Sequence, residues 1–316
     1  MGFRVKVQVL TLIDVYTRFP EAEHARIYLE DRRWPTGTVC PHCNKPERVT
    51  PRPQGYYRCL ECAETFTVRT GTVFERSHVP LNKWLYAMYF LVTARKGISS
   101  LQLSKEIGIT QKSAWFLLQR LREACGSDLE QLQGIVEIDE AYVGGEEQAK
   151  HANKRLNAGR GSVGKTAVIG LRERGGRTVA KVVSKTDAKT IDGIVADHIK
   201  VGTKLHTDGA SVYKSAERMG FQRESVCHSA GEYVRGDVHT NGIESVWAVL
   251  KRGLHGVYHH ASPKHLNRYV QEFTFRLNAG NVSRSTMERL DSFVAGTLGK
   301  RLTYKELIRD KTQDAT

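Results

Sequence analysis

Along the chain the apolar positions change period from segment to segment, and each change marks a candidate element. Pro20, Glu21 and Glu23 open a stretch in which Ala25, Ile27, Tyr28 and Leu29 share one predicted helical face, closed by Pro35 and Gly37. From Val39 to Thr70 helical spacing disappears. Pro41, Pro46, Pro51, Pro53 and Gly55 mark turns there, and Tyr56–Tyr57 and Thr65–Val68 read as short strands. Helical spacing returns at Pro80, a first-turn residue, followed by Trp84, Ala87, Met88 and Leu91. In residues 99–125 the pattern predicts a short helix from Leu101 to Ile107 and a turn at Gly108. Thr110 then caps a second helix with Ala114, Leu117, Leu118 and Leu121 on one face. Two short helices about a glycine form a helix-turn-helix pattern.

From Ile135 the period shortens to that of strands: IVEIDEAYVG, TAVIGLRE and TVAKVVS are each rich in β-branched residues. A helix through Ile191, Ile194, Val195, His198 and Ile199 follows, then the strand KLHTD. Two more helices close the pattern. One carries Ile243, Val246, Trp247 and Leu250; the other enters at Pro263 and carries Leu266, Tyr269, Val270, Phe273 and Leu277. The segments expected are a helical lead-in (1–38), a ribbon (39–70), the helix-turn-helix-like segment (80–126), a mixed α/β domain (134–280) and a charged C-terminal tail (281–316).

A chain of 316 residues is long enough for two folded units with a small accessory module. Its 48 Lys plus Arg against 34 Asp plus Glu leave a formal charge of +14, which draws polyanions and makes nucleic acid the leading partner class. The apolar stretch Leu85–Val92 falls short of the ~18–20 residues that cross a bilayer, and Asp14 interrupts the N-terminal apolar patch with no cleavage site after it. A cytoplasmic protein with no membrane partner is the expectation. Six cysteines, four in two tight pairs, fit metal binding in a reducing compartment better than a disulfide framework.

The pairs Cys40-x-x-Cys43 and Cys59-x-x-Cys62, with residues 44–58 between them, have the spacing of a four-thiolate zinc site. With all four positions filled by sulfur there is no place for water, so such a zinc is structural. Cys125 and Cys227 read as lone core thiols. In the helix-turn-helix segment Lys105, Gln111, Lys112 and Arg120, with Arg122, are candidates for DNA contact, the basic groups on phosphate and the helix start on bases.

Three separated carboxylates make a catalytic candidate. Asp139 stands among apolar residues, Asp208 ends KLHTDG, and Glu244 lies near a helix start. Neighbouring strands can bring the aspartates together while a packed helix adds the third acid. Such oxygen donors suit Mg²⁺ or Mn²⁺, which as a pair assist phosphodiester displacement. Read singly, Glu137, Glu140 and Glu244 are equally solvated charges and Asp208 a turn residue. Asn241 and Lys251 share the helical face of Glu244, with Lys251 and its neighbour Arg252 either meeting phosphate or forming a plain basic surface. The run Gly159–Thr166 matches the phosphate-loop pattern GxxxxGK[ST], but AVIGL after it predicts a strand where that loop needs a helix; ATP is not an expected partner.

With CPHC, YRCLEC, FTVRTGTVFERSHVPLNKWLYA, VEIDEAYVGG, GRGSVGKTAVIG, HTDGA and HTNGIESVWAVLKRGLHGVYHHASPKHLNRYVQEFTFR in view, the chain resembles the zinc-ribbon insertion-sequence transposases of the ISXO type over nearly its whole length. The resemblance implies an RNase H-like catalytic domain, two divalent ions, hydrolysis at the element ends and attack of the freed 3′-hydroxyl on target DNA. Asp139 and Asp208 match the family's two aspartates. Members differ in what stands third, so Glu244 is the expected ligand, Asn241 its alternative, and Lys251 a DNA contact. A homo-oligomer is implied, because two ends are handled together. The other readings are a zinc-ribbon/helix-turn-helix regulator without catalysis, an inactive transposase copy, and a phosphate-loop NTPase.

Overall fold

The computed structural model describes residues 9–46, 48–126, 130–145, 151, 153, 155, 163–227, 230–279 and 284–309. The chain folds as two compact units, residues 1–127 with 279–316, and residues 128–278.

The first unit opens with α1 (Leu12–Arg18) and α2 (Ala22–Arg33). A reciprocal cap between Thr11 and Asp14 starts α1, which has no counterpart in the expected elements. Ala25, Tyr28 and Leu29 are buried as the spacing predicts, whereas Ile27 is 48% exposed, on the outer side of α2. Strands β1 (Val49–Arg52), β2 (Tyr56–Cys59) and β3 (Thr65–Phe66) form an antiparallel sheet in that order. Pro51, expected in a turn, lies inside β1 opposite Tyr57. The edge position explains it, since a proline can face its missing N–H outward there.

Next come α3 (Leu81–Thr93), which buries Trp84, Ala87, Met88 and Leu91, then α4 (Ser100–Ile107) and α5 (Gln111–Cys125). Gly108 ends α4 at φ 62, a left-handed stop that glycine adopts without penalty, and the Thr110 hydroxyl accepts from Ser113 N–H to start α5.

The second unit is a five-stranded sheet built from β4 (Ile135–Val143), β5 (Thr166–Glu173), β6 (Thr178–Val183), β7 (Lys204–Asp208) and β8 (Gln222–Val226), with α6 (Ala188–His198) between β6 and β7. The spatial order is β6-β5-β4-β7-β8. The first three strands run antiparallel, and β7 and β8 lie parallel to β4. This is the RNase H-like arrangement that the resemblance implied. A polar strand, QRESV, left β8 outside the sequence reading, as it did the 3₁₀ segment Ser211–Met219.

Alternation along β4 sends Val136 and Ile138 into a core with α6 residues Ile191, Ile194 and Val195, while Ala141 joins the opposite core. That second core is covered by α7 (Asn241–Gly253) and α8 (Pro263–Ala279), through Ile243, Val246, Trp247, Leu250, Leu266, Tyr269, Val270 and Phe273. A π-helical turn, Leu254–Tyr258, links the two helices.

After α8 the chain returns to the first unit. The segment read as a tail carries α9 (Thr286–Ala295) and α10 (Tyr304–Ile308); Leu290, Phe293 and Val294 of α9 are buried, and Asp291 pairs with Tyr28 and Arg32 of α2. No described helix is long and apolar enough to cross a membrane.

Candidate active site

The parallel ladder between β4 and β7 pairs Glu137 with His206. Two residues further along each strand, alternation sets Asp139 and Asp208 level on neighbouring strands, on the face that α7 covers. Trp247 Nε1 donates to Asp139 Oδ2 at 3.0 Å, and Ala210 N–H donates to Asp208 Oδ1 at 3.0 Å. Glu244 stands in the first turn of α7, exposed, and accepts from the Thr240 hydroxyl at 2.8 Å. Burial pushes the Asp139 carboxyl above its usual range, and the negative charges of Asp208 and Glu244 push the same way against the Trp247 hydrogen bond. Glu140 points to the other face. Burial raises its carboxyl too, opposed by the Tyr213 hydroxyl that donates to it at 2.5 Å.

Why α7 docks here is legible in its first residues. Glu137 is buried at 2% exposure, so it is no solvated charge. Its Oε2 accepts from Ile243 N–H at 2.9 Å, at the positive end of α7, while Arg174 reaches Oε1 at 3.1 Å. A Cβ on Gly242 would stand 2.5 Å from that carboxylate, so only glycine lets the helix end approach β4. His206 touches the same arginine at 3.2 Å, and burial lowers its pKa. Buried Glu137 and His206, with the partly exposed Arg174, thus form a clamp that fixes the N-terminus of α7. The sequence reading did not see it, because a burial cost offset by a helix end and an arginine leaves no trace in spacing.

Gly170 lies opposite Asp139 in the β4–β5 ladder, and a Cβ there would sit 2.5 Å from two Trp247 ring carbons. Gly170→Ala should therefore displace Trp247 from Asp139 and cost about 1–3 kcal/mol through overpacking. A denaturant melt checks it; an unchanged midpoint would show that the ring shifts freely.

In the first unit, Cys40 Sγ lies 3.6 Å from Cys62 Sγ and Cys43 Sγ 3.7 Å from Cys59 Sγ. The edge of a tetrahedron with ~2.3 Å metal–sulfur bonds is about 3.8 Å, so the four sulfurs have the geometry of a zinc centre. His42 N–H donates to Cys40 Sγ at 3.4 Å. Among the described residues these cysteines form the one metal-type group with all ligand atoms within 4.8 Å of one another. The three carboxylates of the second unit are more open. The charges of Asp208 and Glu244 raise the cost of ionising Asp139. Cys125 is buried and Cys227 half-buried.

Of the predicted DNA contacts, Lys105, Gln111 and Lys112 are exposed on α4 and α5, and Lys251 and Arg252 are exposed on α7. Asn241 is the exposed first residue of α7. Arg120 departs from the expectation. It is 4% exposed, stacks over Phe116, and donates to the carbonyls of Leu302 and Glu75 at 2.9 and 2.6 Å; Arg122 is buried as well. Arg120 is turned inward to satisfy two carbonyls that the tertiary fold would otherwise strand. Arg120→Ala should cost about 1.5–3 kcal/mol of stability, the range for charged hydrogen bonds, without a specific loss of DNA affinity at temperatures where it stays folded. Thermal melts and DNA titrations separate the two effects; loss of affinity at unchanged stability would restore Arg120 as a DNA contact. In the run matching a phosphate loop, residues 159–162 lie outside the described residues, and Thr166 opens a strand rather than a helix.

The comparisons with known proteins agree with this division. Residues 131–278 match the ISXO2-like transposase domain and residues 20–65 the transposase zinc-ribbon domain. An uncharacterized protein in transposable element ISH50 of Halobacterium salinarum is 34% identical over 275 residues, covering 82% of this chain and 91% of that protein. Among solved structures, a chain of the simian T-cell lymphotropic virus intasome is similar at 13% identity and TM-score 0.28, covering 61% of this chain and 65% of that one. A chain of the Mos1 strand transfer complex is similar at 12% identity and TM-score 0.28, covering 68% and 78%. Likeness at that level carries no argument, and the fold assignment rests on the strand order. By the matched domains and the extended identity with a transposable-element protein, this chain belongs to the ISXO2-like transposase family, with that family's zinc ribbon.

Proposed function

We propose that the protein is a DDE-type DNA transposase that cleaves the ends of its insertion sequence and joins the freed 3′-hydroxyl to target DNA, with Asp139, Asp208 and Glu244 as the metal-binding acids. The observation that carries the reading is the pair of aspartates at one level on neighbouring parallel strands, within Coulombic reach of Glu244 on the helix above. When bound there, Mg²⁺ or Mn²⁺ supplies Lewis-acid stabilisation of the oxygens of a displaced phosphodiester. The chain's own groups do the positioning. Trp247 fixes one Asp139 oxygen, and Thr240 orients Glu244. Lys251 and Arg252 contact the DNA backbone, Lys105, Gln111 and Lys112 meet the element end, and a homo-oligomer brings two ends together.

The test is Mg²⁺- or Mn²⁺-dependent cleavage of a labelled duplex carrying the element's terminal repeats, in wild type, Glu244→Gln and Asn241→Ala. Loss in Glu244→Gln with activity kept in Asn241→Ala supports the triad; the reverse moves the third role to Asn241. Folded, zinc-loaded wild type that binds these ends and never cuts them overturns the enzymatic reading.

A further inference from the structure

Beside the carboxylates the second unit has a cleft of about 730 Å³ whose character is the opposite of theirs. Its walls carry Lys165, Lys251, His255, His259, His260 and Tyr142, and no carboxylate is among the lining residues. The ends of β4 and β5 contribute Gly144, Gly145 and Gly164, which leave backbone open to close approach by a ligand. A concave surface with cationic and imidazole N–H donors set among glycines and apolar side chains such as Leu254 and Leu266 is suited to the phosphates and sugars of a nucleic-acid backbone.

The way the histidines are held points in the same direction. His259 has φ 57 and ψ −38, and His260 N–H donates to the Tyr258 carbonyl at 2.6 Å, so His259 is the centre of a γ-turn of the strained, positive-φ kind. Tyr258 holds the turn from below, its hydroxyl donating to buried Glu272 at 2.7 Å while Arg276 donates to that hydroxyl at 3.2 Å. The strained turn leaves His259 and His260 exposed at the cleft. Strain of this kind persists only where the surroundings impose it, and it gathers at binding sites.

Lys251 ties the cleft to the carboxylates. It follows Glu244 by seven residues on one helix, about 10 Å along the axis at 1.5 Å per residue. Successive phosphates of a duplex strand advance ~3.4 Å along its axis and stand further apart through space, so that distance is at most about three nucleotides.

We propose that this cleft binds the sugar-phosphate backbone of the substrate DNA strand within about three nucleotides of the phosphate held at the carboxylates. The register rests on the transposase reading above; the binding of a DNA backbone does not. Lys165 and the γ-turn histidines are its principal contacts, and Lys251 bridges it to the reacting phosphate.

The experiment measures affinity for the terminal-repeat duplex against salt concentration in wild type, Lys165→Gln, Lys165→Arg and His259→Gly. Lys165→Gln is expected to lower affinity five- to tenfold and flatten the slope of log K against log salt by about one, with Lys165→Arg restoring both. His259→Gly, which relieves the positive φ, is expected to lose affinity about fivefold with Tm unchanged or higher, where a purely structural role would lower Tm. A neutral methylphosphonate placed in turn at each of the first few phosphates from the cut should, at one position, weaken wild type about tenfold and leave Lys165→Gln unaffected. Unchanged slope in Lys165→Gln, or equal methylphosphonate losses in both proteins, overturns the proposal. Wild type that never cleaves, while Lys165→Gln still flattens the slope, keeps the cleft as a DNA site and removes the catalytic reading.

Discussion

Asp139→Asn is expected to lower strand cleavage about a thousandfold or more, some 4 kcal/mol of transition-state stabilisation at 1.36 kcal/mol per tenfold, while the protein stays folded. The amide keeps an oxygen for Trp247 Nε1, so the packing of α7 on β4 is undisturbed. What it removes is charge. In the native protein burial and the neighbouring acids raise the Asp139 carboxyl, so its ionised form costs stability above its unfolded pKa near 4. Wild-type stability in the absence of divalent ions should therefore fall as pH rises through the raised native value, and the variant should lack that component. Added Mg²⁺ should stabilise wild type, by about 2.7 kcal/mol at a hundred times its dissociation constant, and leave Asp139→Asn nearly unmoved. Melts with and without Mg²⁺, beside the cleavage assay, check both halves. Full cleavage by the variant would dismiss Asp139 as a catalytic group.

The second large effect belongs to the zinc centre. Cys40→Ser should abolish zinc binding and unfold β1–β3, because the ribbon core consists of Cys40, Cys59 and Phe66 with little besides Trp34, Val49 and Tyr57 packed on it. So small a core cannot offset chain entropy unaided, and structural zinc in comparable modules contributes about 10–16 kcal/mol. The second unit has two cores of its own and should keep its cooperative melt. Zinc content by atomic absorption, with hydrogen exchange resolved along the chain, reads the outcome. A variant that still holds one zinc per chain would break the four-sulfur assignment.

How far the sequence carried these conclusions depended on whether a feature left a local pattern. The cysteine pairs, the helix-turn-helix and β4 to β7 did, because a ligand spacing, a cap or a period of two is written over a few consecutive residues. β8 did not, since QRESV owes its place to pairing with β7 rather than to any apolar alternation of its own. Asp139 was legible as an acid among apolar strand residues and Asp208 as an acid at a strand end, but not the Glu137–Arg174 clamp that brings α7 to them, which joins residues far apart in the chain. Arg120 shows the limit from the other side. Its charge suggested a surface, and only the carbonyls of Glu75 and Leu302 explain why it is inside.

The order in which the polypeptide is made gives the return of the chain through α9 a further meaning. Leu290, Phe293 and Val294 complete the packing of the first unit, yet the ribosome reaches them only after the whole of residues 128–278. At ~5–20 residues per second the N-terminal helices wait roughly 8–30 s, with apolar surface uncovered, for the helix that closes them. A message cut short after residue 278 would still encode the five described strands of the second unit's sheet, but its product would emerge with the zinc-ribbon unit unfinished and open to proteases and chaperones. Quality control would then fall on the half that carries the ribbon and the helix-turn-helix, while the half with the carboxylates could already be folded.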